Sequence, residues 1–399
     1  MAWNKSLSIL VLLGVLSMGH FHLFAQGNAP KPTDAEIEAR VKAITQSLVD
    51  RRARAEQLMN EGKAEEAETE LKRLVTESTR HLGIEHQYTL QAQRELGYLL
   101  NATGRHSQAR ALLVTVLEAQ KRTLPAGSLD PLATRGTLVL VMIAEGRFAD
   151  AEQALRTLVP AWEKTAGPEH ADTLNSRNNL AGVLLFLKRP AEAEVEFKAI
   201  LKVQEKQLGA EHPDTLSTRA NLLSAVFQAK RYEEAEKEAR VLLALSTKVK
   251  GESDSDTLQI RSLLAKSLMQ LKRYPEAETE ARATFQMQSR NRSSAAPDAR
   301  ETRHLLAGIL QEEAKYPEAE TEMRALLRDA TSVLKPDDTD FLIYRYQLVI
   351  SLREQGKKEE ASKLARNVVV DARRILGPKH QQTTLYEKLL KDVLDTAAP

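Results

Sequence analysis

The sequence predicts an all-α protein, a solenoid of about eight helix-turn-helix units closed by a single C-terminal helix. Three observations lead there. Alanine recurs at positions 67, 109, 151, 193, 235, 277, 319 and 361, every interval being 42 residues, and a register held that long is the signature of a stacked repeat array. Apolar residues accompany these alanines at helical spacing, four, seven or eight positions apart. The composition agrees: 42% of the residues are apolar and 28% charged but only 5% aromatic, a mixture rich in Ala, Leu, Glu, Arg and Lys that favours helix over sheet.

In chain order, residues 1–25 stand apart. Lys5 leads a short apolar run, LSILVLLGVLSM, and Phe24-Ala25-Gln26 offers a small residue for cleavage. The run is shorter than the roughly 20 apolar residues that a membrane-spanning helix needs. It reads as a secretory signal peptide cut near Ala25, with retention as an N-terminal anchor as the alternative. The expectation is an exported protein, periplasmic or extracellular, with no membrane span after cleavage. Residues 26–33 are a linker, and the repeat array runs from 34 to 396.

Each repeat is expected to hold two helices. Thirteen residues before the anchor alanine stands leucine (Leu96, Leu138, Leu180, Leu222, Leu264, Leu306, Leu348), and four further on a second apolar column (Leu100, Met142, Leu184, Leu268, Leu352). This spacing makes a stripe on a first helix, A. The anchor opens the stripe of a second helix, B, as in Ala193 followed by Phe197, Ile200 and Leu201. A turn such as Gly146-Arg147 or Lys230-Arg231 joins them, too short for anything but antiparallel neighbours. Gly83, Gly167, Gly209, Gly251 and Gly377 close helix B in a left-handed conformation. Asp130, Asp172, Asp214, Asp256, Asp298 and Asp340 mark the start of helix A, where a carboxylate can cap free amides and face the helix dipole. Alanine at every anchor implies a close helix crossing. Residues 34–60, with Arg54 in the leucine column, read as an adapted first unit. Residues 381–396 read as the closing helix, and NRSSAAP at 291–297 as a loop within the array.

Composition also excludes. A net charge of +2, with both signs dispersed, offers no basic stripe for nucleic acid. Cysteine is absent, which removes disulfides, thiolate zinc sites and a cysteine nucleophile.

The pattern LGxEHPDTL…NNLA…EEAE on a 42-residue period resembles the tetratricopeptide repeat, and within it the kinesin-light-chain type. The resemblance covers residues 34 to 396 and implies a right-handed α-solenoid. No long heptad coiled coil accompanies it, so a motor adaptor is not expected. In arrays of this type an asparagine just before the Leu-Ala pair binds the backbone of an extended peptide in the concave groove. Asn179 and Asn221 match that position, and an amide both donates and accepts as a peptide does. The alternative is that these asparagines satisfy neighbouring helices.

Other polar columns have plainer readings. His86, His170, His212 and His380 share one column, but residues a whole hairpin apart cannot converge on one metal. They read as turn histidines, and no metal or cofactor is assigned. Arg135, Arg177, Arg219, Arg261, Arg303 and Arg345 form a second column, expected to pair with Glu152, Glu194, Glu236, Glu278 and Glu320 in an ion-pair ladder, or else to line an anion groove. No nucleophile elbow, HExxH, phosphate loop or dinucleotide fingerprint occurs, so no enzyme is expected.

The candidate peptide-binding residues are therefore Asn175, Asn178, Asn179, Asn221, Ser224, Gln228, Lys266 and His304. The leading functional expectation is a non-catalytic scaffold that holds a partner protein or extended peptide of unknown identity. A self-associating structural spacer is the competitor, and an exposed apolar face on a terminal helix would favour it.

Overall fold

The computed structural model of the protein describes residues 34–291 and 293–395. The expected leader (1–25), the linker (26–33) and residue 396 lie outside the described residues. Every regular element among those described is helical.

The chain divides into two compact units. The first, residues 1–187, contains α1 (Asp34–Asn60), α2 (Ala64–Leu82), α3 (Gln87–Ala102), α4 (His106–Thr123), α5 (Leu129–Ala144), α6 (Phe148–Ala166) and α7 (Ala171–Phe186). The second, residues 188–399, contains α8 (Pro190–Gln207), α9 (Pro213–Gln228), α10 (Tyr232–Lys250), α11 (Ser255–Gln270), α12 (Tyr274–Asn291), α13 (Pro297–Glu312), α14 (Tyr316–Thr331), α15 (Asp340–Glu354), α16 (Lys358–Ile375) and α17 (Gln381–Asp395). Odd-numbered helices are the A helices, even-numbered ones the B helices, and α17 is the closing helix. Within each unit a helix packs on its successor in sequence, and A helices also touch the A helix of the next repeat. Of the segment 291–297 expected as a loop, Asn291 ends α12, Pro297 opens α13, residues 293–296 lie between them inside the second unit, and residue 292 lies outside the described residues.

All eight anchor alanines are fully buried. The closeness of the crossing is visible at Gly97, where an added Cβ would lie 2.7 Å from the Leu113 side chain. Leu96, Leu180, Leu264, Leu306 and Leu348 are buried as expected, whereas Leu138 and Leu222 are half-buried beside Val139 and Leu223, which take the core positions. Helix α1 is 27 residues long, against 15 or 16 in the other A helices. Arg54 is exposed, and Leu48, Ala55 and Leu58 form the buried stripe in its place.

Two local expectations need correction. The aspartates do not cap the A helices. At α3, α7 and α9 the residue before the helix is His86, His170 or His212, whose Nδ1 accepts the amide of the residue two positions on at 3.2 Å. His380 does the same for Gln382, and Asp254 substitutes at α11. Asp172, Asp214 and Asp256 stand inside the first turn, where their charge still faces the positive end of the dipole. The closing glycines are not left-handed helical either: Gly83, Gly167 and Gly251 have φ of 99°, 98° and 94° with ψ near extended, a region open essentially to glycine alone.

The ion-pair ladder exists, but its two columns are not each other's partners. Most of the arginines reach helix B three or ten residues past the anchor: Arg51 pairs with Glu70 and Glu77, Arg219 with Glu238, Arg261 with Glu280, Arg303 with Glu322 and Asp329, and Arg345 with Asp371, whereas Arg177 reaches back to Glu163 of α6. The glutamates that follow the anchor bind forward, to the basic residue opening the next B helix: Glu68 to Arg105, Glu194 to Arg231, Glu236 to Arg273, Glu278 to Lys315 and Glu320 to Lys357. One ladder ties A to B within a repeat and the other ties B to B between repeats. A side chain three residues past the anchor lies one helical turn from the crossing and faces the A helix. One residue past the anchor, it faces the neighbouring pair instead.

Candidate functional site

An A helix buries the stripe against its own B helix and leaves a separate row of positions mostly open, 18, 15, 11 and 7 residues before the anchor, with Ala220 and Gly308 of the row buried. On α7 of the first unit this row includes Asn175, which is exposed, and Asn178, half-buried like its neighbour Asn179. The remaining candidates belong to the second unit. Ser224 and Gln228 share one face of α9, where Ser224 Oγ donates to the Ala220 carbonyl at 3.1 Å. Lys266 of α11 extends to Glu301 of α13, Nζ to Oε1 being 2.6 Å, and His304 stands one turn beyond Glu301. That link puts Lys266 and His304 on one face and neutralises the lysine.

Asn221 sits differently. Its register equivalents are Leu263, buried, and Leu305, packed against the core. The position therefore faces the seam between neighbouring helices more than open solvent. Neither Asn178 nor Asn221 is without an interaction partner in the protein.

A polar cluster between α13 and α15 escaped the sequence reading apart from His304. Arg300, 7% exposed, donates from Nη1 to the Ala295 carbonyl at 2.8 Å and lies 4.0 Å from Asp340. Tyr344 donates to Asp340 Oδ2 at 3.2 Å, and its ring lies 5.5 Å from that of His304. Burial pushes the His304 imidazole below its ordinary pKa, against the opposing pull of Asp340 and Glu301. Its Nε2 is buried without a hydrogen-bond partner, as is Gln347 Oε1. The Gln347 carbonyl accepts from Gln311 Nε2 at 2.8 Å, and the same Nε2 lies 2.8 Å from Ser351 Oγ. Gln347 occupies the register position of Asn221, so column comparison could have found it. Beyond it on α15 the open row turns apolar, with Ile343, Tyr346 and Ile350 all half-buried.

The first unit carries a charged counterpart. Arg52 of α1 bonds Glu95 of α3 at 2.5 Å, and burial pushes the Glu95 carboxyl above its ordinary pKa against the pull of Arg52 and Arg94. Among the described residues no group of three or more His, Asp or Glu is arranged to hold a metal, and no helix is long and apolar enough to cross a membrane.

Family models described as tetratricopeptide repeat match residues 130–206, 177–248 and 342–382, which coincide with the helix pairs and the anchor register above. The matched segments are tetratricopeptide repeats. No curated protein matches it in sequence. Among solved structures, the apo form of RapI aligns with a TM-score of 0.59 at 11% identity, covering 88% of this chain and 98% of that one. A Rap protein complexed with competence and sporulation factor aligns at 0.56 and 12% identity, over 88% and 98%. A tetratricopeptide repeat protein from Parabacteroides merdae aligns at 0.51 and 14% identity, over 77% and 99%. These likenesses establish the fold. Repeats of this kind are generally non-catalytic scaffolds.

Proposed function

We propose that the protein is a non-catalytic scaffold, acting outside the cytoplasm, that holds an extended segment of a partner protein along the open A-helix face of its second unit. The observation that carries this reading is the unfinished hydrogen bonding at His304 Nε2 and Gln347 Oε1. Buried polar atoms without partners cost stability unless something completes them. A peptide backbone supplies both donors and acceptors. Around them Ser224, Gln228 and the neutralised Lys266–Glu301 pair keep the face polar and close to uncharged, and Ile343, Tyr346 and Ile350 offer an apolar seat for one bulky side chain. Asn179 and Asn221 are the corresponding candidates that the family resemblance supplies, with Asn175 and Asn178 beside Asn179 on α7. The Rap complex with its factor lends the reading support as a protein of like fold with a bound ligand. The spacer alternative gains little, because the exposed Leu385 and Leu394 of α17 are nine positions apart, with the exposed lysines Lys388 and Lys391 in between.

The test is affinity capture from the native host with the chain and with a His304→Ala/Gln347→Ala variant of equal helicity. Two lost hydrogen bonds at about 0.5–1.5 kcal/mol each should weaken a captured partner roughly five- to a hundredfold. Undiminished affinity in the variant would sink the assignment of the face. The export reading rests on the apolar run at residues 7–18, and N-terminal sequencing that found intact Met1 in a cytosolic fraction would contradict it.

A further inference from the structure

In the third repeat the arginine of the ladder lacks its carboxylate. In at least five repeats the arginine sixteen residues before the anchor meets a carboxylate of its own B helix. Arg135 of α5 occupies the same position, but the two places on α6 that supply carboxylates elsewhere hold Ala154 and Ala161. The nearest acid further along α6, Glu163, is bound by Arg177 of α7. Arg135 donates from Nη2 to Thr157 Oγ1 at 2.7 Å. The Thr157 hydroxyl spends its own hydrogen on the Ala154 carbonyl at 2.8 Å. The guanidinium is thus held in place from one side by a neutral acceptor, with no carboxylate ion pair among the described residues.

Its surroundings are open. Thr157 is exposed, Ala154 and Ala161 are only half-buried, and Gly136 beside the arginine has only the Leu158 side chain within 4 Å of an added Cβ. Where other repeats carry a glutamate side chain, this one carries a methyl group, so no side chain of its own helix supplies the carboxylate. A planar guanidinium with several unused N–H groups binds carboxylates in two-point fashion. The rest of the ladder shows that this backbone geometry delivers a carboxylate to that spot.

We propose that Arg135 is an acceptor site for an acidic side chain of a partner segment, which completes from outside the ion pair that the other repeats complete from within. The site is on the first unit and stands independently of the peptide-holding face proposed for the second.

The probe is an N-acetylated, C-amidated hexaglutamate titrated into the full chain at low ionic strength. Binding is read at the Arg135 Nε–H resonance. A shift that saturates in the parent and fades with added salt is expected. Arg135→Gln should reduce peptide affinity on the order of tenfold. Ala154→Glu, which restores the missing rung, should block the site as effectively while leaving the melting temperature no lower. Parent-like peptide affinity in either variant overturns the proposal. N-acetyl-trialanine, which has a free carboxyl terminus and no acidic side chain, is the second arm. If it binds as well as hexaglutamate, the site reads chain termini and the assigned partner chemistry is wrong.

Discussion

The ammonium of Lys315 lies 2.7 Å from the carboxylate of Glu278, thirty-seven residues back and one helix pair earlier. Arg282, one turn along the same helix as Glu278, approaches that carboxylate to 2.6 Å. Arg105 and Lys72 enclose Glu68 in the same way. The glutamate always follows its anchor alanine by one residue, and the distant cation precedes the next anchor by four. The register that stacks the helices therefore also fixes which charges meet.

These pairs set a prediction for acid. Burial pushes the Glu278 carboxyl up, but the hydrogen bonds from Lys315 and Arg282 outweigh it and hold the group at about 2. Hydrogen bonds from Arg105 and Lys72 hold Glu68 at about 2 as well. Both lie below the ordinary value of 4.5. The unfolded chain then binds protons first, so the stabilisation is complete above about pH 4.5 and is lost as pH falls toward 2. Denaturant unfolding across this window should show a falling midpoint in the parent. A Glu68→Gln/Glu278→Gln variant should be weaker at pH 7 and flatter with pH. Equal slopes in both proteins would remove these two groups from the acid response.

The histidine caps predict a second, milder dependence. His86 Nδ1 must keep its lone pair to accept the Tyr88 amide, and burial lowers the pKa of this imidazole below 6.5. A depressed histidine pKa means that the neutral form is favoured by folding. Its contribution is whole above pH 6.5 and declines as pH falls through the folded value. His86→Ala should cost about 0.5–2 kcal/mol at pH 7.5, as loss of a cap does. His86→Asn should retain most of that stability and lose the pH dependence between 7.5 and 5.5. An asparagine variant that still weakens in step with the parent would refute the cap as its source.

Periodicity made the helix pairs, the anchor crossing, the adapted first unit and the closing helix legible in the sequence, because each is a local pattern repeated at fixed spacing. Partner choice was less legible. The glutamates at 194, 236, 278 and 320 were paired with the wrong arginines because one residue of helix rotates a side chain by about 100°, and a column aligned by number alone does not say which neighbour it faces. The caps were misassigned by two residues for a related reason. Aspartate is the commoner capping type, but His86, His170 and His212 occupy the extended position before the helix. The cluster of Arg300, Asp340, Tyr344 and Gln347 depends on contacts between successive A helices, and a column lines up equivalent positions without saying which different columns meet, so the group was not announced.

The closing helix offers a direct test of how the array ends. Tyr386, Leu389 and Val393 of α17 are buried against α15 and α16, while Lys388 and Lys391 face water. Leu389→Ala should cost about 2–4 kcal/mol, the range for truncating a buried leucine. Hydrogen exchange should then rise first in α16 and α17, because a repeat shares stability chiefly with its neighbours. Uniform acceleration along the whole second unit would mean that the closing helix is coupled more widely than the stacking contacts imply.

The anchor column is the most demanding prediction. Ala235 of α10 is fully buried in a core shared with Leu216 and Leu223 of α9, Ala239 of α10 and Ile260 of α11. A leucine there adds three carbons at a position that is already fully buried, so the neighbouring helices must separate to admit it. Overpacking of this kind costs about 1–3 kcal/mol. Ala235→Gly removes the methyl group and should also destabilise, by about 1 kcal/mol, through helix propensity and lost packing. The two substitutions differ in where the damage goes. The leucine variant should loosen α9, α10 and α11 together in hydrogen exchange, whereas the glycine variant should act mainly within α10. If Ala235→Leu leaves the denaturant midpoint unchanged, the close crossing inferred from eight buried alanines is not what holds the repeat together.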